Sequence, residues 1–393
     1  MHSRVVTTIF PCLVLCTMLG LLPGSASLTV LHFPDQNLEA VVREALGKPA
    51  GDITAEDMRG LTSLTAQARG IQNLAGLEHT ANLQELFLRQ NQISDLSPLA
   101  GLTNLRKLGL WQNQISDLSP LAGLTNLRVL YLAQNQVSSL SALAGLTNLE
   151  GLYVQQNQLS DLSPLAGLTN LWELMIMQNQ VSDLSALAGL TNLQTLYLDQ
   201  NQVSDLSPLA GLTTHLECLY LDQNQVSDLS PLAGLTNLVC LYLDQNQVSD
   251  LSPLAGLTNL QYLTLDRNLV SDISALVANS QAGGIGAGDS VHLHYNYLDL
   301  SEGYKAMTDI RALIDNGATV TYLPQLPGVV NEETGIVVAA IVALMVIVAT
   351  AKPRGNWMRV SPHGDPMHPR PLRTKDSGKS DDDTIVKASQ AQR

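Results

Sequence analysis

Between Leu83 and Leu265 the chain places its apolar residues on a fixed beat, Asn-Leu-x-x-Leu-x-Leu-x-x-Asn-Gln-Ile/Val-Ser-Asp-Leu-Ser-Pro/Ala-Leu-Ala-Gly-Leu-Thr, which returns every 22 residues. The first, fourth and sixth places, for example Leu127, Leu130 and Leu132, enclose a short alternation of buried and outward positions, the period of a half-buried strand. The second half of each unit is a turn-rich return, with Pro98, Pro120, Pro164, Pro208, Pro231 and Pro253 where a continued ladder would exclude proline. A unit of this length cannot bury its own leucines, so neighbours must stack. The register is carried by an asparagine at the turn out of the strand, at Asn91, Asn113, Asn135, Asn157, Asn179, Asn201, Asn224, Asn246 and Asn268. One residue is gained before Asn224, where Leu212-Thr-Thr-His-Leu216 replaces Leu-Thr-Asn-Leu.

Nine regular repeats are flanked by two imperfect ones, a first with Leu61, Leu64, Ile71 and Leu74 in phase and Arg69 in the asparagine slot, and a last with Asn296 in phase. This is the signature of an α/β solenoid, a leucine-rich repeat horseshoe whose parallel strands line the concave face. Both ends need caps. At the N-terminal end Asp35 is an N-cap candidate for a helix with Leu38, Val41, Val42, Ala45 and Leu46 on one face, closed by Gly47. At the other end a helix over Tyr304 to Asn316, closed by Gly317, leads to a short strand, Ala318 to Tyr322.

Outside the repeats the hydrophobic pattern implies a topology. Residues 1–26, with Arg4, an apolar run from Leu13 and the small residues Gly24 to Ala26, read as a secretory signal peptide. Residues 27–60 form the N-terminal cap, 61–276 the repeats, 277–323 the imperfect last repeat and C-terminal cap, and 324–334 a linker. The apolar run 335–351 reads as a single transmembrane helix, short for a bilayer core about 30 Å thick. Lys352 and Arg354 follow it and orient the chain as a single-pass type I membrane protein of the cell membrane, repeats outside. The tail, 352–393, holds nine Lys/Arg, five Asp and five Pro, and has the composition of a disordered cytoplasmic segment.

The whole chain carries a net charge of −14, and removing the basic tail and Arg4 leaves the extracellular part near −19. That charge excludes nucleic acid as partner and favours basic surfaces. No nucleophile elbow or Cys/His dyad occurs, and no segment outside the repeats is large enough for a catalytic domain, so an enzyme is not expected. His292 and His294 lack a third ligand at metal spacing, and the glycine-rich Gln281 to Asp289 lacks a phosphate-binding lysine; neither a metal nor another cofactor is expected.

The outward places form the candidate partner-binding face. In the earlier repeats they bring together Phe87, Trp111, Tyr131, Tyr153, Met175 and Met177. In the later ones Tyr197, Tyr220 and Tyr242 run beside Asp199, Asp222, Asp244 and Asp266. Aromatic anchors are what protein interfaces favour. Because repeats six to nine are near copies, the rows also fit simple duplication without a ligand. Cys218 and Cys240, at the third place of adjacent repeats, are candidates for a disulfide, with two unbonded thiols as the alternative.

The repeat, with its Ile/Val-Ser-Asp-Leu-Ser-Pro-Leu return entered through a small helical cap, resembles the internalin-type repeats of bacterial surface proteins and the related repeats of the eukaryotic phosphatase-regulating subunit. The resemblance spans residues 33 to about 322. It implies recognition of a protein on the concave face, and the expected function is binding of an extracellular protein or glycan in adhesion or sensing. Leu323-Pro-Gln-Leu-Pro-Gly328 departs from the Leu-Pro-x-Thr-Gly wall-sorting signal, so the expected attachment is the membrane span. A structural spacer with no specific ligand is the alternative left open.

Overall fold

The computed structural model describes residues 30–326. The expected signal peptide, membrane span and tail lie outside the described residues, and among the described residues no helix is long and apolar enough to cross a membrane. A helix α1 (Gln36–Leu46) and a short α2 (Ala55–Arg59) precede one parallel sheet of twelve strands laid down in chain order. The strands are β1 (Ser63–Thr65), β2 (Glu85–Phe87), β3 (Lys107–Gly109), β4 (Val129–Tyr131), β5 (Gly151–Tyr153), β6 (Glu173–Met175), β7 (Thr195–Tyr197), β8 (Cys218–Tyr220), β9 (Cys240–Tyr242), β10 (Tyr262–Thr264), β11 (Ser290–His292) and β12 (Thr319–Thr321). A helix α3 (Ser274–Gln281) lies between β10 and β11, and α4 (Lys305–Asp315) between β11 and β12.

Each strand is three residues long because the chain must turn. It turns at a left-handed residue, Gln90 in the first regular repeat and its counterparts through Gln245 and Arg267, with φ between 55° and 59°. A non-glycine residue there costs about 1–2 kcal/mol. The next residue is the asparagine. Asn113 Nδ2 donates to Leu110 O in its own coil at 2.9 Å and to Leu88 O in the preceding coil at 3.0 Å, while its Oδ1 accepts from Ile93 N at 3.1 Å. An amide offers two donors and an acceptor, so one side chain satisfies the bends of two coils. The ladder runs from Asn91 to Asn296. Arg69 stands in this slot in the first coil, where no earlier repeat needs an amide, and its own bend is served by Asn91 Oδ1.

A second ladder holds the opposite bend. Asn104, Asn126, Asn148, Asn170, Asn192 and Asn259 each donate to a carbonyl of the preceding coil at 2.8–2.9 Å. In the lengthened coil Thr214 Oγ1 and His215 Nδ1 reach the same carbonyl, Thr191 O, which is why the insertion is absorbed there. In the return, the Ser-Pro-Leu and Ser-Ala-Leu segments form single 3-10 turns. The aspartate two residues earlier caps most of them, as Asp117 Oδ1 accepts from Ser119 N at 2.8 Å. The fourth-place leucines, Leu86 to Leu263, are buried between strands and returns. That fixes the third and fifth places on the other side of the sheet.

The caps seal the rows. Asp35 accepts from Asn37 N and Leu38 N through one oxygen and from Gln72 N and Asn73 N through the other, tying α1 to the first coil. Leu38, Val41 and Val42 are buried as expected, but Ala45 is exposed. Leu46 beside it is half-buried against the core, and Gly47 closes the helix in the left-handed conformation. Sequence periodicity does not reveal α3, which replaces the 3-10 return before the last imperfect repeat. Its Asn279 is fully buried, donates to Leu254 O and Leu257 O, and accepts from Ile285 N. The glycine-rich segment wraps that amide so closely that a Cβ on Gly284 would lie 2.0 Å from Asn279 Oδ1. Its glycines are therefore structural.

Asn201→Ala removes an acceptor for Val181 N and donors to Ile176 O and Leu198 O, all buried. It should lower the unfolding free energy by about 2–3 kcal/mol, read by urea denaturation. A loss below about 0.5 kcal/mol would show that the bends do not depend on the ladder.

Candidate functional site

The strand face is built from the third, fifth and seventh places of successive coils. Sequence analysis expects these side chains to stand in solvent. The structure corrects this for Trp111, Tyr153, Met175 and Tyr197, which are only 8, 3, 9 and 8% exposed. Neighbouring strands lie about 4.8 Å apart, close to the spacing at which rings stack, so rings at one place in successive coils cover each other. Tyr131 stacks on Tyr153 at 4.5 Å and 18°, Tyr197 on Tyr220 at 4.1 Å and 15°, and Tyr220 on Tyr242 at 4.5 Å and 8°. Trp111 tilts against Tyr131 at 5.2 Å. Tyr153, Met175 and Tyr197 are the buried centre of a second, smaller apolar cluster that includes Tyr131, Met177 and Tyr220.

Two glycines make room for this packing. A Cβ on Gly109 would fall 2.6 Å from both Phe87 Cδ1 and Trp111 Cζ3, so the absent side chain is what lets Phe87 and Trp111 converge. Tyr153 lies back over Gly151, 3.1 Å from where its Cβ would stand, and donates its phenol to Glu173 Oε2 at 2.5 Å. Glu173 is 2% exposed, and burial together with its charge pushes the Tyr153 phenol up. Glu173 and Gly151, both at the third place, are members of the face that sequence reading did not single out, whereas Gly109 and Gln155 stand at the fifth and seventh places it assigned to the face. The signal was a glycine at an outward place beside an aromatic one. Gln155 is 5% exposed, and its Oε1 has no hydrogen-bond partner.

The aspartate row also departs from expectation. These carboxylates are partly or wholly buried, and each accepts the backbone N–H of the next coil: Asp199 from Asp222 N at 3.0 Å, Asp222 from Asp244 N, Asp244 from Asp266 N and Asp266 from His294 N, each at 2.8 Å. His294 Nδ1 lies 2.9 Å from Asp266 Oδ2 and ends the row. Desolvation leads in pushing Asp199 up to about 6 and Asp222 up to about 8, with Asp244 adding to both by its charge. Burial raises Asp244 as well. Among the described residues no group of three or more His, Cys, Asp or Glu could hold a metal ion. Cys218 and Cys240 are directly paired across β8 and β9, buried, and both free thiols.

Comparison with known proteins agrees with this architecture. A family model described as leucine-rich repeats (two copies) matches residues 81–123, 125–167, 147–189, 169–211, 214–256 and 236–278. A search by sequence among curated proteins gives no match. Among solved structures, the internalin InlF of Listeria monocytogenes is 35% identical, with a TM-score of 0.64, covering 75% of this chain and 90% of its own. The chain belongs to the internalin family. Internalin C2 of the same organism is 43% identical over 53% of this chain and 94% of its own, with a TM-score of 0.52. The functional domain of Listeria InlJ, described as including a cysteine ladder, is 25% identical over 68% of this chain and 56% of its own, with a TM-score of 0.57.

In this internalin the fifth-place row is partly core. Leu152→Ala should cost about 2–5 kcal/mol, and Tyr153→Ala about 2–4 kcal/mol rather than the small loss of a solvated side chain. Chemical denaturation of both variants separates the two cases.

The aspartate row gives the protein an unusual pH profile. Folded pKa values near 6 and 8, against 3.8 for an ordinary aspartate, mean that the folded state binds protons more tightly than the unfolded chain. The contribution to stability is complete below about pH 4 and is lost as pH rises through 6 and then 8. The Tm should therefore fall between pH 5 and pH 8.5. Asp222→Asn keeps an oxygen to accept Asp244 N, so it should raise the Tm at pH 8.5 and flatten the profile. An unchanged slope would contradict the row's desolvation.

Proposed function

We propose that this chain is a bacterial surface protein that binds a protein partner through its strand face, chiefly along Phe87, Trp111, Tyr131, Met175 and Met177. Exported by residues 1–26, it is held by a span at 335–351, with 352–393 in the cytoplasm. The observation that carries this reading is where the repeats vary. Places that build the coil hardly change: Leu127, Leu130, Leu132 and Asn135 have the same residue, or a close apolar one, in every regular repeat. The seventh place runs Arg89, Trp111, Ala133, Gln155 and Met177 across five successive repeats, a diversity the backbone does not require. Gln155 adds a buried acceptor without a donor in the middle of that apolar patch, a group that a partner's N–H or O–H would satisfy.

The aromatic row supports recognition further. Rings already stacked lose little freedom on binding, so contact area is gained at low entropic cost. The row of carboxylates at Asp199, Asp222, Asp244 and Asp266 favours a partner whose facing surface is basic. A glycan remains a second reading because tyrosine faces also suit sugar rings. A spacer would have no use for the diversity of the seventh place.

The test is capture of partners by the full chain displayed on cells, comparing Trp111→Ala with Met177→Ala on the face against Ser119→Ala and Ala122→Ser in the return. Loss of a captured protein in the face variants alone, by about tenfold or more, is expected. Equal capture by all variants would favour the spacer. An antibody to residues 384–393 should label cells only after permeabilisation; labelling of intact cells would refute the single span.

A further inference from the structure

We propose that Cys218 and Cys240 are an oxidative modification site on the strand face, closing into a disulfide between adjacent coils when a hydroperoxide attacks. The register pairs the two residues directly across β8 and β9. Their Cα atoms are therefore separated by one strand spacing, about 4.8 Å, inside the 4.4–6.8 Å that a disulfide spans. Both occupy the third place, so both side chains emerge on the same side of the sheet, and they are 7 and 4% exposed. Neighbouring third places hold Thr195 and Tyr262, so the thiols form an isolated pair with no competing cysteine beside them. The chain's other cysteines, Cys12 and Cys16, belong to the expected signal peptide.

The pair is chemically asymmetric. The neighbouring Cys240 side chain, with the Tyr220 phenol, holds the Cys218 thiol below its usual value against the opposing effect of burial. The Cys218 side chain, and then burial, hold Cys240 up. Cys218 is therefore the residue that becomes a thiolate, and the thiolate is the attacking species. The Cys218 sulfur attacks the distal oxygen of the peroxide, the O–O bond breaks, and the leaving oxygen takes up a proton, giving a sulfenic acid and water or an alcohol. Cys240 then loses its proton as its sulfur attacks the sulfenic sulfur, and the S–O bond breaks with release of water. Two thiols and one peroxide become one disulfide and two oxygen products, with no other reductant consumed. The resulting covalent loop joins two coils on the face and is reopened by an external dithiol.

The experiment treats the reduced full chain with one equivalent of hydrogen peroxide and maps it without reduction, using an aspartate-directed protease. Asp222 and Asp228 lie between the cysteines, so cleavage separates them unless they are linked. The proposal expects one linked peptide pair, loss of the Cys218 and Cys240 thiols, a raised Tm, and reversal of all three by dithiothreitol. In Cys240→Ser, dimedone should trap sulfenic acid on Cys218. In Cys218→Ser, labelling of Cys240 should be slower by about tenfold or more. Wild-type mapping decides the matter even if a variant folds poorly. Separate sulfinic or sulfonic products with no linked peptide, disulfides between chains only, or faster labelling of Cys240 would each overturn the assignment.

Discussion

The structure rests on one requirement: the backbone at each strand exit must be hydrogen-bonded although the strand stops after three residues. A single asparagine amide meets it for two coils at once, donating to its own coil and to the one before while accepting from the bend of the one before. Because the amide reaches a fixed distance, successive coils can stack in only one register. That register forces the fourth-place leucines inward and lines up every other place into a row. The face of the protein is thus a by-product of how its bends are satisfied. The left-handed glutamines, which cost conformational energy, are tolerated because the ladder over-determines their geometry.

Alignment into rows has two consequences on the open side. Aromatic rings stack on their copies and lose solvent, so Tyr153 and Tyr197 are nearly as buried as core residues. Carboxylates held at the same spacing can neither avoid each other nor stay fully hydrated, and Asp199 and Asp222 titrate upward as a result. Their hydrogen bonds to the next coil's N–H groups pull the other way and keep the row from being simply repulsive. The face is therefore a pre-arranged surface with an apolar half and a half whose charge depends on pH.

Almost all of the fold was legible in the sequence, because the period and the asparagine register leave no freedom in strand order or in which leucines are buried. Asp35, Gly47, the C-terminal helix and the last strand followed from capping and turn chemistry. The helix α3 did not, since Ser274–Gln281 has no strong amphipathic period and its place in the repeat is that of the turn-rich return. At the site, the outward direction of Trp111, Tyr153 and Asp222 was readable, but their burial was not. Burial there depends on side chains touching their counterparts 22 or 23 residues away and on the absence of a Cβ at Gly109 and Gly151. Glu173 escaped notice for the same reason: its phenol partner comes from the preceding coil.

The central claim is that the strand face, and not the return side, meets the partner. Hydroxyl-radical footprinting of the chain on intact cells, with and without the surface it adheres to, tests this directly. Trp111, Tyr131 and Met177 should lose reactivity on contact, by about threefold or more given the burial expected of interface anchors, while Trp172, at the second place of its repeat, should not change. Protection of Trp172 and the returns with the face unaltered would contradict the account.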